Sequence, residues 1–553
     1  MILDANGLPA GPALSADICI IGAGAAGITM AMELAGARSD VLVLESGGLK
    51  AERATQDLYA GSVVDGRLHS PPDRYRQRRF GGTTTIWGGR CAPLDPIDFE
   101  ERGYMPYSGW PIGLDVLMPY YPRANTLCEA GEYRYTVAEA FDSPRRPMIE
   151  GFASPNFTTD TLERFSRPTD FGARYGRHLR DARNVRVLLH ANVIAMRLEE
   201  SGARIRTLTV RTLRGRNFEV TARQFVIAVG GLEAARLLLA SRDVHLNGIG
   251  NQHDVVGRYY MCHLAGTMGA LTIHRPLSAV WNGYDVSAEG IYCRRRIALT
   301  AEAQRRRHIG NFICRLHHPR ITDPAHGNAI LSALYLAKFI IPYEYGKRLY
   351  GEERVSFAAW LEHLRNVAAG PFGVAAFAWH MLKDRKLAKR KFPSIVITPK
   401  ANLYSLDFHA EQQPNPLSRV TLGETVDALG MPRISIDWRY TDIDVETVSR
   451  AMALLAADFR ENGVGDLKYD AANLESEITR YGAYGGHHIG TARMGKDPRT
   501  SVVDADCRIH GVENLFVAGT AVFPTSSQAN PTLTAVALAL RLADRLKRSE
   551  AAR

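Results

Sequence analysis

The sequence predicts an α/β protein with a Rossmann-like nucleotide-binding domain, and three stretches predict it. Ile18-Cys-Ile-Ile-Gly-Ala-Gly24 runs an apolar strand into a Gly22-x-Gly24-x-x-Gly27 turn, and Phe225-Val-Ile-Ala-Val-Gly-Gly231 repeats the pattern before a helical run. Near the end, Asn514-Leu-Phe-Val-Ala-Gly519 is a third short apolar strand, and Asn530-Pro-Thr532 opens an amphipathic helix beyond it. Apolar strands that turn through glycine into helices belong to α/β architecture.

The first unit runs from Asp17 to Glu45. Its glycines permit a tight turn and the close approach of a pyrophosphate, which the following helix N-terminus neutralises. Glu45 ends the next strand, Asp40-Val-Leu-Val-Leu-Glu45, about 20 residues on, where a carboxylate accepts hydrogen bonds from ribose hydroxyls and repels a 2′-phosphate. NAD and FAD both fit this unit. Ser46-Gly-Gly48 follows in place of a compact NAD domain and favours FAD.

Between Arg78 and Phe99, two Gly-Gly pairs flank three threonines and a tryptophan with no helix or strand period. Ile86 and Trp87 argue for a packed loop over a ligand, with Gly82, Thr83, Thr84 and Trp87 facing it. Farther on, Asn184 to His190 with Val193 and Ile194 reads as strands, and Ser418–Leu422, Asp427-x-x-Gly430 and Ile434–Trp438 read as a hairpin. Residues 331–392 are apolar and then basic. Leu331 to Pro342 is too short to span a membrane, and Val367 to Leu382 is broken by Gly370-Pro371. That insertion reads either as buried helices followed by a solvated basic face, or as a monotopic patch whose basic cluster meets anionic lipid.

The C-terminal stretch carries the chemistry. Asn530 is a good N-cap and Pro531 a good first residue, so free N–H groups and the positive dipole end of that helix point at what precedes it. With Gly519 and Thr520 after the strand, this is a place for an anion or a developing negative charge. Upstream, Gly485-Gly-His487-His488-Ile-Gly490-Thr491 reads as a glycine-rich loop bearing two adjacent histidines. Neighbouring side chains diverge, so the pair makes a poor metal site, whereas one of them can serve as a base.

Composition bounds the rest. A chain of 553 residues exceeds one simple core, so two closely packed domains are expected. The net charge of +10 is diffuse outside residues 383–391, which argues against nucleic-acid binding. The seven cysteines lie far apart with no C-x-x-C, so neither a disulfide framework nor a metal site is expected. The first 17 residues lack a basic n-region, an apolar h-region and a twin arginine, and a cytoplasmic setting is expected.

These motifs, in this order, resemble the glucose–methanol–choline (GMC) oxidoreductases, and within them the branch of pyranose oxidases and bacterial sugar or glycoside oxidoreductases. The resemblance rests on Gly22, Gly24, Gly27 and Glu45, the Phe80-to-Gly89 loop, and Phe225 to Ser241. It continues through Gly257-Arg258 with His263, Asn415 to Val420, His487 to Gly495, and Ala529 to Thr534. It implies a discontinuous FAD-binding domain over 1–110, 180–270 and 480–553. A substrate domain on an antiparallel sheet would cover 111–179 and 271–479. It also implies Val193 against adenine, His487 as the catalytic base from the His-x-x-Gly-Thr motif, and Asn530 as its partner. His488 is expected to point away. Where pyranose oxidases carry a flavin-linked histidine before the loop tryptophan, this chain has Ile86, so FAD is expected to be held non-covalently.

The resulting expectation is oxidation of a CH–OH group of a sugar, glycoside or polyol by hydride transfer to flavin N5. Oxygen, a quinone or a protein would accept the electrons, and peripheral contact with the inner face of a membrane is part of it. The alternatives are a GMC-like non-redox flavoprotein lyase, and an oxidase or dehydrogenase of a non-sugar alcohol.

Overall fold

The computed structural model describes every residue except 9–12, 341–345, 347–355, 395, 398, 400–401 and 552–553. Part of the apolar insertion anticipated at 331–392 therefore lies outside the described residues. Two sheets organise the remainder. The first has eight strands, in the order Ile2–Asp4, Val185–Leu189, Val41–Leu44, Leu14–Ile21, Asn217–Ile227, Ile205–Arg211 and Asn192–Leu198, with Leu515–Val517 also pairing Asn217–Ile227. Leu14–Ile21 pairs in parallel with Val41–Leu44 on one side and Asn217–Ile227 on the other. Ile18, Ile20, Val41 and Val43 are buried, as strands covered on both faces require.

Two helices flank the glycine turn. Ala25–Leu34 follows it directly, and the C-terminal helix Thr532–Ala551 packs against that helix. The apolar stripe of the C-terminal helix (Leu533, Val536, Ala537, Leu540, Ala543) is buried, and Arg541 and Arg545 pair with Asp506 at 3.2 and 2.6 Å. The helix begins one step later than its sequence suggests. The Pro531 carbonyl accepts the first helical bond, from Ala535 N–H at 2.9 Å. Asn530 is therefore not the cap, and its amide is directed to His487 instead.

The second sheet is antiparallel and seven-stranded. Its path is Gly465–Lys468, Met261–Ile273, Leu403–Ala410, Phe312–His317, Ile297–Leu299 and Phe157–Thr158, with Ala483–Ile489 also pairing Met261–Ile273. The Gly485–Ile489 stretch is thus a strand and not the loop that its glycines suggest. Pairing with a strand more than 200 residues away in sequence overrides the low strand propensity of glycine. The expected hairpin forms between Arg419–Val426 and Pro432–Asp437, with Gly430 at φ 79° in its turn. The buried residues of both sheets make one continuous core. Among the described residues no helix is long and apolar enough to cross a membrane.

Candidate active site

A cavity of about 420 Å³ runs between the two sheets, within the size range of ligand pockets. At one end is the glycine turn. A Cβ on Gly27 would lie 1.9 Å from the Gly22 carbonyl oxygen, so only glycine lets the helix start this close to the strand. Gly27 is the one sequence-predicted site residue that does not line the cavity; it packs beneath the turn. A Cβ on Gly24 would meet nothing within 4 Å, and Gly24 precedes Ala25–Leu34 with no side-chain cap, which leaves the first helical N–H groups turned to the cavity. Glu45 lines the same end. Its carboxylate accepts from Ala23 N–H and Gly47 N–H, both at 2.8 Å, and burial pushes its pKa up. It braces the turn and keeps lone pairs for further donors. Val193 is close by on the wall.

The Arg78–Phe99 stretch supplies the adjoining wall: Gly81 N–H donates to the Ala23 carbonyl at 2.9 Å, and Gly82–Thr85 forms one 3₁₀ turn entered through Gly81 at φ 94°. Thr84 Oγ1 donates to the Gly81 carbonyl at 2.6 Å and accepts from Phe171 N–H at 3.0 Å. Trp87 Nε1 donates to the Thr169 carbonyl at 2.9 Å. These bonds fix a segment without a local period, and Gly82, Thr83, Thr84, Ile86 and Trp87 face the cavity, Ile86 at 39 % exposure. Gly519, Thr520, Pro531 and Thr532 close the wall beside the N-terminus of the C-terminal helix. Bare N–H groups at the glycine turn, a braced carboxylate and an elongated cavity fit FAD.

At the cavity wall, His487 stands in a chain of ring and amide contacts. His263 Nε2 lies 3.2 Å from the Ser526 carbonyl, His263 Nδ1 lies 2.7 Å from His487 Nδ1, and Asn530 Nδ2 lies 3.0 Å from His487 Nε2. One proton assignment satisfies all three. A carbonyl only accepts, so His263 carries its proton on Nε2 and offers the Nδ1 lone pair. His487 then donates from Nδ1 and presents an unprotonated Nε2, which accepts from the Asn530 amide. Burial lowers the His263 pKa to about 4, the Ser526 and Ser527 carbonyls opposing it. Burial, the neighbouring His263 and the charge of Arg90 hold His487 well below its ordinary 6.5. The arrangement is a neutral imidazole with one basic nitrogen at the cavity wall, which suits proton abstraction near neutral pH.

His488 diverges, as alternation along a strand requires. Its ring is 6.2 Å from His69 and 6.1 Å from Tyr260, and its carbonyl accepts from Thr520 Oγ1 at 2.7 Å. Residues without a role in the sequence reading also line the cavity: His409, Arg90, and the Arg76–Arg79 segment. That segment is pinned by Glu233, which pairs with Arg76 at 3.2 Å, Arg78 at 3.0 Å and Arg236 at 3.3 Å. Burial alone would raise Glu233, but the charges of Arg236, Arg78 and Arg76 bring it down to about 2. His263 entered the sequence reading only as part of the Gly257-Arg258 motif and without a role, because Met261-Cys-His-Leu264 reads locally as an apolar core strand. No group of three or more His, Cys, Asp or Glu suited to a metal occurs among the described residues.

The chain matches known families over most of its length. The family model described as FAD dependent oxidoreductase matches residues 17–310, and that described as GMC oxidoreductase matches residues 414–539. The chain is 25% identical over 612 residues to the fructose dehydrogenase large subunit of Gluconobacter japonicus, covering 96% of this chain and 97% of that one. It is 38% identical over 117 residues to the C-glycoside 3-oxidase of Microbacterium trichothecenolyticum, 21% of each chain. The crystal structure of pyridoxine 4-oxidase from Mesorbium loti shares the fold, with TM-score 0.54 at 20% identity over 96% of this chain and 98% of that one.

Proposed function

Because the chain belongs to the FAD-dependent oxidoreductases and carries a GMC oxidoreductase C-terminal region, we propose that it oxidises a CH–OH group of a sugar, glycoside or polyol with His487 as the base. The observation that carries the reading is the His263–His487–Asn530 chain, whose unprotonated His487 Nε2, contacted by Asn530, stands in the same cavity as the glycine turn. The fructose dehydrogenase and C-glycoside 3-oxidase relatives support the substrate class.

FAD, when bound, supplies the two-electron acceptor that takes the hydride at its N5. The substrate hydroxyl takes the place of the Asn530 amide on His487 Nε2, which removes its proton, while that amide donates to the same oxygen and orients the carbinol. The imidazolium formed keeps its Nδ1 proton on His263, whose neutral ring continues to accept. The N–H groups after Gly24 would hold the pyrophosphate, Glu45 the ribose, Val193 the adenine side, and Gly82 to Trp87 the ring system. Gly519, Thr520, Pro531 and Thr532 would hold the electron-rich edge of the ring at the positive end of the C-terminal helix. Residues 1–110, 180–270 and 480–553 form the FAD-binding part in this reading, and 111–179 and 271–479 the substrate part. The reading extends to a cytoplasmic protein held peripherally at the inner face of a membrane, and to oxygen, a quinone or a protein as acceptor.

The test is an anaerobic screen of sugars, glycosides, polyols and simple alcohols, monitored by flavin bleaching. A sugar or polyol that bleaches the flavin is the expected result. A flavin that stays oxidised with every alcohol indicates lyase chemistry and ends the oxidoreductase assignment. Reoxidation of the bleached enzyme with oxygen, a quinone and a redox protein then identifies the acceptor.

Two further outcomes are expected. The Ile86 side chain has no nucleophilic atom, so acid precipitation should release all yellow colour into the supernatant and the protein mass should carry no FAD adduct. A coloured pellet would place a covalent linkage elsewhere in the chain. Asn530→Ala should slow flavin reduction about tenfold or more through lost orientation. Thermal stability should barely change, because the Asn530 amide contacts His487 and does not cap the helix. Unchanged reduction kinetics would remove Asn530 from the chemistry.

A further inference from the structure

The helix Pro371–His380 breaks the rule that the protein's other long helices follow. Its sequence, PFGVAAFAWH, contains no Asp, Glu, Lys or Arg, yet none of its residues is buried. Phe372 is 89 % exposed and Trp379 62 %. The preceding helix, Phe357–Ala369, turns His363 inward, where Nδ1 lies 2.9 Å from Ser332 Oγ on the helix Ala329–Leu336, and leaves Phe357, Leu361 and Leu364 outside. Leu382 and Leu387 extend the same apolar surface through the π-helical turn Met381–Leu387. A soluble monomer rarely carries a contiguous apolar patch of this kind unless something covers it.

The helix Phe357–Ala369 exposes one charge of each sign, Glu362 and Arg365, whereas the exposed charges of the run that follows Pro371–His380 are of one sign. Lys383, Lys386, Lys389 and Lys391 are exposed, whereas Arg385 and Arg390 turn inward to the carbonyls of Phe392 and Phe165. The one acid of this run, Asp384, is held by His380 at 2.8 Å. Four lysines are therefore presented to solvent beside the apolar helix Pro371–His380 and the exposed apolar side chains of Phe357–Ala369.

We infer that this hairpin docks the protein on an anionic lipid surface, with Pro371–His380 lying in the boundary between headgroups and acyl chains and the lysines on lipid phosphates. Three features favour lipid over a protein partner. Val374, Phe377 and His380 are half-buried on the protein side, and the rest of the helix is exposed with no polar stripe, a wider apolar arc than a single docking groove covers. Its ten residues are about 15 Å long, half of a bilayer core, so it lies in the interface and does not cross. Trp360 and Trp379 are the residue type that settles at headgroup level, and a lysine rim matches anionic headgroups. The docked segment is continuous with the active site. Phe392 packs on Tyr284 and Tyr292, and Pro393 and Ser394 line the cavity. This deepens the peripheral location proposed above and rests on that reading only in taking the cavity as the flavin site.

The test is co-sedimentation of the FAD-loaded full chain with phosphatidylcholine vesicles, with and without phosphatidylglycerol, at low and high salt. Binding is expected with anionic vesicles at low salt, release at high salt, and a blue shift of tryptophan emission on binding. K383A/K386A/K389A/K391A should weaken binding by at least about a hundredfold, and F372S/W379S should abolish it while flavin absorbance and helix content stay unchanged. No binding at low salt, equal binding to neutral vesicles, or self-association of the chain through the same side chains would overturn the proposal. The assay reads no turnover, so its failure is separate from failure of the oxidoreductase reading.

Discussion

His487→Ala should slow anaerobic flavin reduction by at least about a hundredfold, the usual size of a general-base contribution, while FAD stays bound. The geometry gives the reason. His487 Nε2 is the unprotonated nitrogen of the chain at the cavity wall, contacted by Asn530 at 3.0 Å. Burial, His263 and the Arg90 charge all disfavour its protonated form. A base with a lowered pKa works while it is neutral and fails as pH drops through that pKa. The wild-type reduction rate should therefore stay flat from neutral pH to below the ordinary histidine value of 6.5, with its acid limb lower still. Stopped-flow reduction across pH measures both the loss and the limb. His488→Ala should stay within a few-fold of wild type, since its ring packs toward His69 and Tyr260. A dead His488 variant beside an active His487 variant would move the base by one residue and dismantle the proton assignment.

What was legible in the sequence was local. Ile18 to Glu45 could be read because strand, tight turn and helix start depend on neighbours within a few residues, and the 1.9 Å approach at Gly27 is a property of that one turn. The hairpin at Asp427–Pro432 was legible for the same reason. Reading failed where a distant partner decides. Asn530 has the composition of a cap, but His487, 43 residues away, takes its amide. The Gly485–Ile489 stretch has the composition of a loop, but Met261–Ile273 supplies the hydrogen bonds that make it a strand. The apolar insertion showed its composition but not its surroundings, and no local pattern tells a buried helix from one left at the surface. His263 could be named from its motif but its role could not, because its contact with His487 closes a loop of 224 residues.

That contact carries the second large effect. His263→Phe should lower the flavin reduction rate by about ten- to a hundredfold and leave the apparent substrate affinity nearly unchanged. His263 reaches neither the cavity nor a reacting atom by hydrogen bonding; it is a positioning residue that fixes which His487 nitrogen holds the proton. With its Nε2–H given to the Ser526 carbonyl, its Nδ1 can only accept, and His487 must then donate from Nδ1. A phenyl ring fills the space but removes the acceptor. His487 is then free to protonate Nε2, the nitrogen that has to be basic. In serine proteases the corresponding loss, an amide in place of the aspartate that holds the histidine, costs about 10⁴ in kcat through the wrong tautomer. A neutral imidazole holds its partner less firmly than a carboxylate, so a smaller loss is expected here. His263→Asn separates positioning from packing: its Oδ1 can occupy the place of Nδ1 and accept the same proton, so most of the rate should return although the ring is gone. Equal impairment of the Phe and Asn variants, or no impairment of the Phe variant, would reduce His263 to a core side chain and leave the His487 tautomer without its lock.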